Sequence, residues 1–308
     1  MKMLIVLLRL KGGVGRANTE IAEVLRKKGW EVDFLSREDD LKIFSLLKSF
    51  FTLKKRVKEL MKKRNYDIIY TQDYSCALPL LFPFPIFWKK HFCCFCGVKS
   101  GKHPELIQWH HKFFQRLVGK IMGKKIVVIG DQLKEIFPKS KLIYRGVNIN
   151  KFKPLQKKRD CLGWINKDIE KISRDELQKI CENTGLKLFV AENIPVEKMN
   201  EFYNKCQVFI DLPRTAGFNL AWLEAMAAGV PIILGNEKGA GTILPFDKIL
   251  KDKEKIKEIE KKIKNPKCID YRKWVIDNEF TWEDKAKKLI KFFKEKNMKY
   301  LKKYPYKR

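Results

Sequence analysis

Strand-length apolar runs alternate with helix-length amphipathic stretches from the third residue onward, and this alternation restricts the chain to one fold class. MLIVLLRL (3–10) leads into the glycine-rich KGGVGRA (11–17), the amphipathic NTEIAEVLRKKG (18–29) and the alternating WEVDFLS (30–36). Gly29 stands where a helix stops in a left-handed conformation, so the opening reads as a strand, helix, strand unit. A helical stretch from Leu41 to Lys63 follows, then the strand YDIIYTQ, a proline-rich stretch, a long basic helix near HPELIQWHHKFFQRLVGKIM and the strand KIVVIG. QLKEIF is a short helix, and KLIYRGVNINKFKP is a strand with an exit loop. The second half repeats the grammar through DCLGWI, SRDELQKICENTG, LKLFVAE, PVEKMNEFYNKC, VFIDL, NLAWLEAMAAG and PIILG, and closes with charged helices near DKEKIKEIEKKIK and TWEDKAKKLIKFFKEK. The expected class is α/β, with parallel sheets covered by helices on both faces. Residues 1–155 form one domain and 156–280 a smaller second one, and the helix of 281–308 packs back toward the first. Ligands of such sheets sit outside the carboxyl ends of the strands, so both domains are expected to face a cleft.

Charge narrows the partners. Lys and Arg number 66 against 36 Asp and Glu, giving +30, a field that attracts phosphates, an anionic membrane face or nucleic acid. The basic residues lie on amphipathic segments such as LKKRVKELMKKRNYD, mixed with glutamates, which reads first as solvated helix faces and second as a membrane-surface role. Nucleic acid ranks third, because no zinc finger, RNA-binding aromatic motif or basic zipper is present. MKMLIVLLRLKGG reads as a first strand and not a signal peptide: its apolar core is short, Arg9 interrupts it and no small-residue cleavage site follows. CALPLLFPFPIFW carries three prolines and is too short to span a bilayer, yet it suits a dip into a surface. Eight cysteines without a secretory signal imply free thiols in the cytoplasm, with a peripheral position on the inner membrane face open. His91, Cys93, Cys94 and Cys96 are read as buried groups more than as a metal site, since adjacent Cys93 and Cys94 point oppositely on an extended chain.

Lys11 to Ala17 is similar to the phosphate loop of partition-type ATPases but departs from it chemically. Leu10 stands where a glycine is needed, Arg16 where a lysine is needed, and Ala17 where a hydroxyl would hold magnesium. The dinucleotide fingerprint also fails, because its third glycine falls on Asn18. What survives is a glycine loop of Gly12, Gly13, Gly15 and Arg16, whose backbone amides approach an anion at the positive end of a helix.

VFIDLPRTAGFNLAWLEAMAAGVPIILG (208–235) is the most informative stretch. A buried strand ends at Pro213, a loop carries Gly217, a helix begins near Asn219, and Gly229-Val230-Pro231 ends it before another strand. Amides around Phe218, Asn219 and Leu220 form an anion site at that helix N-terminus, and Glu224 lies about one turn further in. The bland alternative is a core helix with one glutamate.

GFNLAWLEAMAAGVPII resembles the EGFGxxxLEAMAxGxPVI segment of the family 4 retaining glycosyltransferases, which have the GT-B fold of two Rossmann-like domains facing a cleft. GGVGRANTEIAEVLRKKGWEVDFLS, KLIYRGVNINKFKP, MNEFYNKCQVFIDLP and FTWEDKAKKL resemble that family's other segments in the same order. The resemblance implies transfer from a nucleoside-diphosphate sugar to a glycan, lipid-linked or small-molecule acceptor. It implies retention of anomeric configuration and, with no Asp-x-Asp motif, no metal or other cofactor. It assigns donor binding to Gly217, Phe218, Asn219, Leu220 and Glu224, with Gly12 and Gly13 closing over the site. Departures are equally specific: the family's first glutamate falls on Ala216, and its arginine after a glycine falls on Trp164 after Gly163. Lys167, or Lys171, would substitute for the family's lysine, and His91, with His103 as rival, would be the first-domain histidine. These departures keep open a catalytically inactive nucleotide-sugar-binding, glycan-binding or scaffold protein.

Overall fold

A computed structural model of the chain describes residues 1–38, 46–97, 105–156, 158–165, 172–212, 218–235, 247–249, 255–266 and 269–303. The chain divides into two compact units, Met1–Tyr144 with Trp282–Arg308, and Arg145–Thr281.

In the first unit, strands β1 (Lys2–Leu7), β2 (Glu31–Ser36), β3 (Ile68–Gln72), β4 (His91–Phe95), β5 (Ile126–Val128) and β6 (Lys141–Leu142) form a parallel sheet in the order β2-β1-β3-β4-β5-β6. Its helices are α1 (Gly12–Lys27), α2 (Leu46–Arg64), α3 (Tyr74–Leu81), α4 (Glu105–Met122), α5 (Asp131–Ile136) and α11 (Trp282–Lys303). β3 and β4 are buried at every residue, as strands covered on both faces must be. The chain runs outward from β1 to β2 and then returns to β3 on the other side, which puts the topological switch between β1 and β3. Phe293 of α11 packs its ring on Trp30, Tyr70 and Phe92, so the last helix completes the core of this unit.

Two of these elements depart from the sequence expectation. The proline-rich stretch contains α3, with Pro79 inside it. Proline has no N–H to return to the carbonyl four residues back, and the guanidinium of Arg37, itself 4% exposed, donates to that carbonyl of Ser75 instead. HFCCF, which no expected element covered, is a strand that starts at His91 and carries both adjacent cysteines.

In the second unit, β7 (Cys161–Trp164), β8 (Lys187–Val190), β9 (Cys206–Asp211), β10 (Ile232–Gly235) and β11 (Asp247–Ile249) form a parallel sheet in the order β11-β10-β9-β7-β8. Helices α6 (Arg174–Thr184), α7 (Met199–Lys205), α8 (Leu220–Ala227), α9 (Lys255–Lys264) and α10 (Tyr271–Asp277) accompany it. Leu162, Val208 and Ile210 of the sheet pack with Leu177 and Ile180 of α6 and Ile259 and Ile263 of α9. Here the chain goes from β7 to β8 on one side and crosses to β9 on the other, so the switch lies between β7 and β9.

Candidate active site

The second switch point is built around a buried carboxylate. Asp211, the last residue of β9, is 1% exposed and accepts hydrogen bonds from Asn219 Nδ2 at 2.9 Å and Trp222 Nε1 at 2.6 Å. Those bonds fix the start of α8 against the end of β9. Phe218, 3% exposed, stacks on Phe280 with centroids 5.9 Å apart and 5° between planes, and meets Trp222 edge-on at 6.0 Å. Asn219 is the N-cap in extended conformation, but its side chain is spent on Asp211 and does not cap the helix. α6 shows the alternative: Ser173 and Glu176 close its first turn with a full capping box. The contrast leaves α8 without a side-chain cap at the switch point, where a helix N-terminus favours an anion.

Glu224 sits one turn into α8, 3% exposed, with the hydroxyl of buried Tyr203 donating to Oε2 at 3.0 Å. The far end of α8 is held by two arginines. Arg159 donates to the carbonyls of Ala228 and Gly229 at 2.8 and 2.6 Å, and Arg272 to that of Ala227 at 2.8 Å. Cations at a helix C-terminus satisfy its orphan carbonyls and oppose its dipole. α8 is therefore anchored at both ends.

At the first switch point the glycine loop is the opening turn of α1. Its glycines have different reasons to be glycine. Gly12 has φ +87°, a left-handed conformation. A Cβ on Gly15 would lie 1.8 Å from the carbonyl oxygen of Leu10, whereas one on Gly13 would meet nothing within 4 Å. Arg16 is half-buried, and Asn18, 5% exposed, donates to the carbonyl of Val14 at 2.8 Å. Across the switch, Asp73 follows β3 with φ 68° and accepts from the backbone N–H of Tyr74, whose hydroxyl bonds Nδ1 of His111.

Residues 162–308 match the family model described as Glycosyl transferases group 1. The second half of the chain is thus similar to glycosyl transferases group 1. The solved structures agree on fold over nearly the whole chain. A sucrose-phosphate synthase from Thermosynechococcus elongatus superposes with TM-score 0.71 at 15% identity, covering 96% of this chain and 98% of that one. A glycosyltransferase from Rickettsia africae gives 0.65 at 18%, covering 96% and 98%. Anabaena HepE, solved in complex with UDP, gives 0.65 at 13%, covering 96% and 100%. The fold is GT-B, two α/β units with parallel sheets. No curated protein matches the sequence.

Within the matched residues, Phe218, Asn219, Leu220 and Glu224 come together on the opening turns of α8. Gly217, Ala216, Lys167 and Lys171 lie outside the described residues, as does His103 in the first unit. Trp164 ends β7 at 3% exposure, its ring in the core. Sequence reasoning missed Asp211, Tyr203, Arg159 and Arg272. Asp211 had a visible signal, an acid closing an otherwise apolar strand just before Leu212-Pro213. The two arginines had none, because they act across long sequence separations.

His91 is placed away from the β1/β3 switch point. It is the first residue of β4, at the amino end of the sheet, 0% exposed, with Nε2 3.0 Å from Thr71 Oγ1. Burial, with the Lys125 ammonium as the smaller cause, lowers its pKa from 6.5 to about 3. The ring is neutral in the fold and serves the strand interior. An unfolded chain protonates this ring below its ordinary 6.5, so the fold loses stability as pH falls from 6.5 toward 3. His91→Leu is expected to lessen that loss, and urea unfolding of both proteins across a pH series reads it as a narrowing gap. Cys94 and Cys96 have their Sγ atoms 3.9 Å apart, and burial pushes the Cys93 thiol well above its ordinary range. Among the described residues, no group of three His, Cys, Asp or Glu side chains is arranged to hold a metal ion.

Proposed function

We propose that this chain transfers a sugar from a nucleoside-diphosphate sugar to a glycan, lipid-linked or small-molecule acceptor, retaining anomeric configuration and using no metal. The observation that carries the reading is the Asp211 clamp, which holds the first turn of α8 at the β7/β9 switch with its N-cap side chain diverted. The donor diphosphate meets the amides of Phe218 to Leu220, and Gly217 is assigned to the same donor site. Glu224, steadied by Tyr203, takes the ribose hydroxyls. Catalysis rests on positioning and on stabilising charge on the departing diphosphate, through helix amides and the lysine function assigned to Lys167. The acceptor is assigned to the glycine-loop end of the first unit, where Gly13 presents open backbone and Arg16 stands beside it. His91 has no part in the chemistry. HepE, solved with UDP and glucose, supports the donor class. The described cysteines form no disulfide, which fits a cytoplasmic setting.

Calorimetric titration with UDP, GDP, ADP and their sugar conjugates, beside Glu224→Ala, tests the reading. One nucleotide is expected to bind, and Glu224→Ala is expected to weaken it about a hundredfold, as for the loss of two hydrogen bonds to a charged group. Unchanged affinity in a folded variant removes Glu224 from the donor site. Trp164, filling core space where the resembling family has an arginine, favours a second reading, a catalytically silent nucleotide-sugar-binding protein. Donor binding without sugar transfer to any acceptor selects it.

A further inference from the structure

Lys54 organises an exposed aromatic face on the first unit. It lies on α2, 9% exposed, and donates through Nζ to the carbonyls of Phe82 at 3.0 Å and Phe84 at 2.6 Å. These bonds hold the turn after α3 onto α2 with its rings outward, Phe84 at 76% exposure and Phe82 at 39%. Phe51, 58% exposed, stands one turn before Lys54 on the same helix. Phe51, Lys55, Lys58 and Lys62 are all exposed and spaced four, three and four residues apart, which lines them up on one stripe of α2, with exposed Glu59 at its edge.

Several backbone polar groups of the turn are satisfied without water. Pro83 and Pro85 have no N–H to desolvate, the Phe82 N–H donates to Leu78, the Ile86 N–H donates to Leu80, and Lys54 covers both phenylalanine carbonyls. An exposed loop in water needs none of this, whereas entry into a lipid layer makes each unsatisfied backbone group costly.

We infer that this face docks on an anionic lipid bilayer, with Phe51, Phe82 and Phe84 entering the boundary between headgroups and acyl chains and Lys55, Lys58 and Lys62 meeting the headgroups. Charge complementarity selects the occupant. The three lysines run along about 10 Å of helix, which suits an extended sheet of negative charge, and the chain's +30 acts in the same direction. No described helix is long and apolar enough to cross a membrane, so the contact lies on the surface. This inference is independent of the sugar-transfer reading.

The test is co-sedimentation of the full chain with phosphatidylcholine vesicles and with mixed phosphatidylcholine/phosphatidylglycerol vesicles. Binding is expected to the mixed vesicles and not to phosphatidylcholine alone. Phe84→Ala is expected to weaken it about tenfold, the value of burying one phenylalanine, and the pair Lys55→Glu/Lys58→Glu at least tenfold. Lys261→Glu/Lys264→Glu, the same charge change on exposed positions of α9, is expected to leave binding nearly intact, with thermal melts confirming that every variant folds. An equal loss from the α9 pair, or indifference to Phe84→Ala, overturns the inference by making the binding a property of overall charge. So does failure to bind mixed vesicles, including a result in which Phe84 instead governs self-association or binding to single-stranded RNA.

Discussion

Gly15→Ala is expected to disable the first unit, lowering its unfolding free energy by about 3 kcal/mol or more, while Gly13→Ala two residues away leaves it within about 0.5 kcal/mol of the native chain. The new Cβ of Gly15→Ala would stand 1.8 Å from the Leu10 carbonyl oxygen, 2.3 Å from its carbon and 2.9 Å from the Arg9 carbonyl oxygen. All three are backbone atoms, so no side chain can swing away. Relief requires moving the β1 exit or the first turn of α1, and both are fixed, by pairing of β1 with β2 and β3 and by burial of Ile21 and Leu25. Gly13 has open space at its Cβ position, so an effect of Gly13→Ala on sugar transfer at unchanged stability would show that the loop touches a substrate. Urea unfolding followed by tryptophan fluorescence separates the two. A Gly15→Ala protein as stable as the native chain would contradict the close approach of α1 to β1.

Asp211→Ala is the second large effect. Removing the carboxylate strands the indole N–H of Trp222, 3% exposed, and the amide of Asn219 in a buried site, at an expected cost of about 3 kcal/mol. Function should fall further than stability. Freed from Asp211, the Asn219 side chain can turn to cap α8 itself, competing with the diphosphate proposed to bind the same amides. Asp211→Asn keeps one acceptor oxygen and should fall between. Thermal unfolding and nucleotide titration of both variants measure the two losses. Asp211→Ala with native nucleotide affinity would detach the clamp from the donor site.

The candidate site was partly legible because its signals are local. Asn219 and Gly229 bracket α8, and an apolar strand leads into it, so the helix start and its anion-binding amides follow from neighbours in sequence. The reason those amides are left to a ligand does not. It depends on Asp211 drawing Asn219 away from capping, a choice made by the packing of β9 against α8. His91 illustrates the converse: the sequence offered a histidine after an apolar run, and the sheet put it at the amino end of β4, among buried neighbours that keep it neutral.

Sequence alone determined the α/β class and most elements, because amphipathic helices and half-buried strands write their periods of 3.6 and 2 into adjacent residues. α1, β2 and α6 could be read that way, and β1, β9 and α8 from apolar runs bounded by turn residues. Tertiary structure decided α3, β4 and β11. YSCALPLL is apolar almost throughout and HFCCF is buried at every residue, so neither carries a period, and Pro79 argues against a helix until Arg37 supplies the missing donor. Only tertiary structure decided the strand orders too. Which strand lies beside which is a matter of long-range pairing, and from that pairing come the two switch points where the glycine loop and the start of α8 are placed.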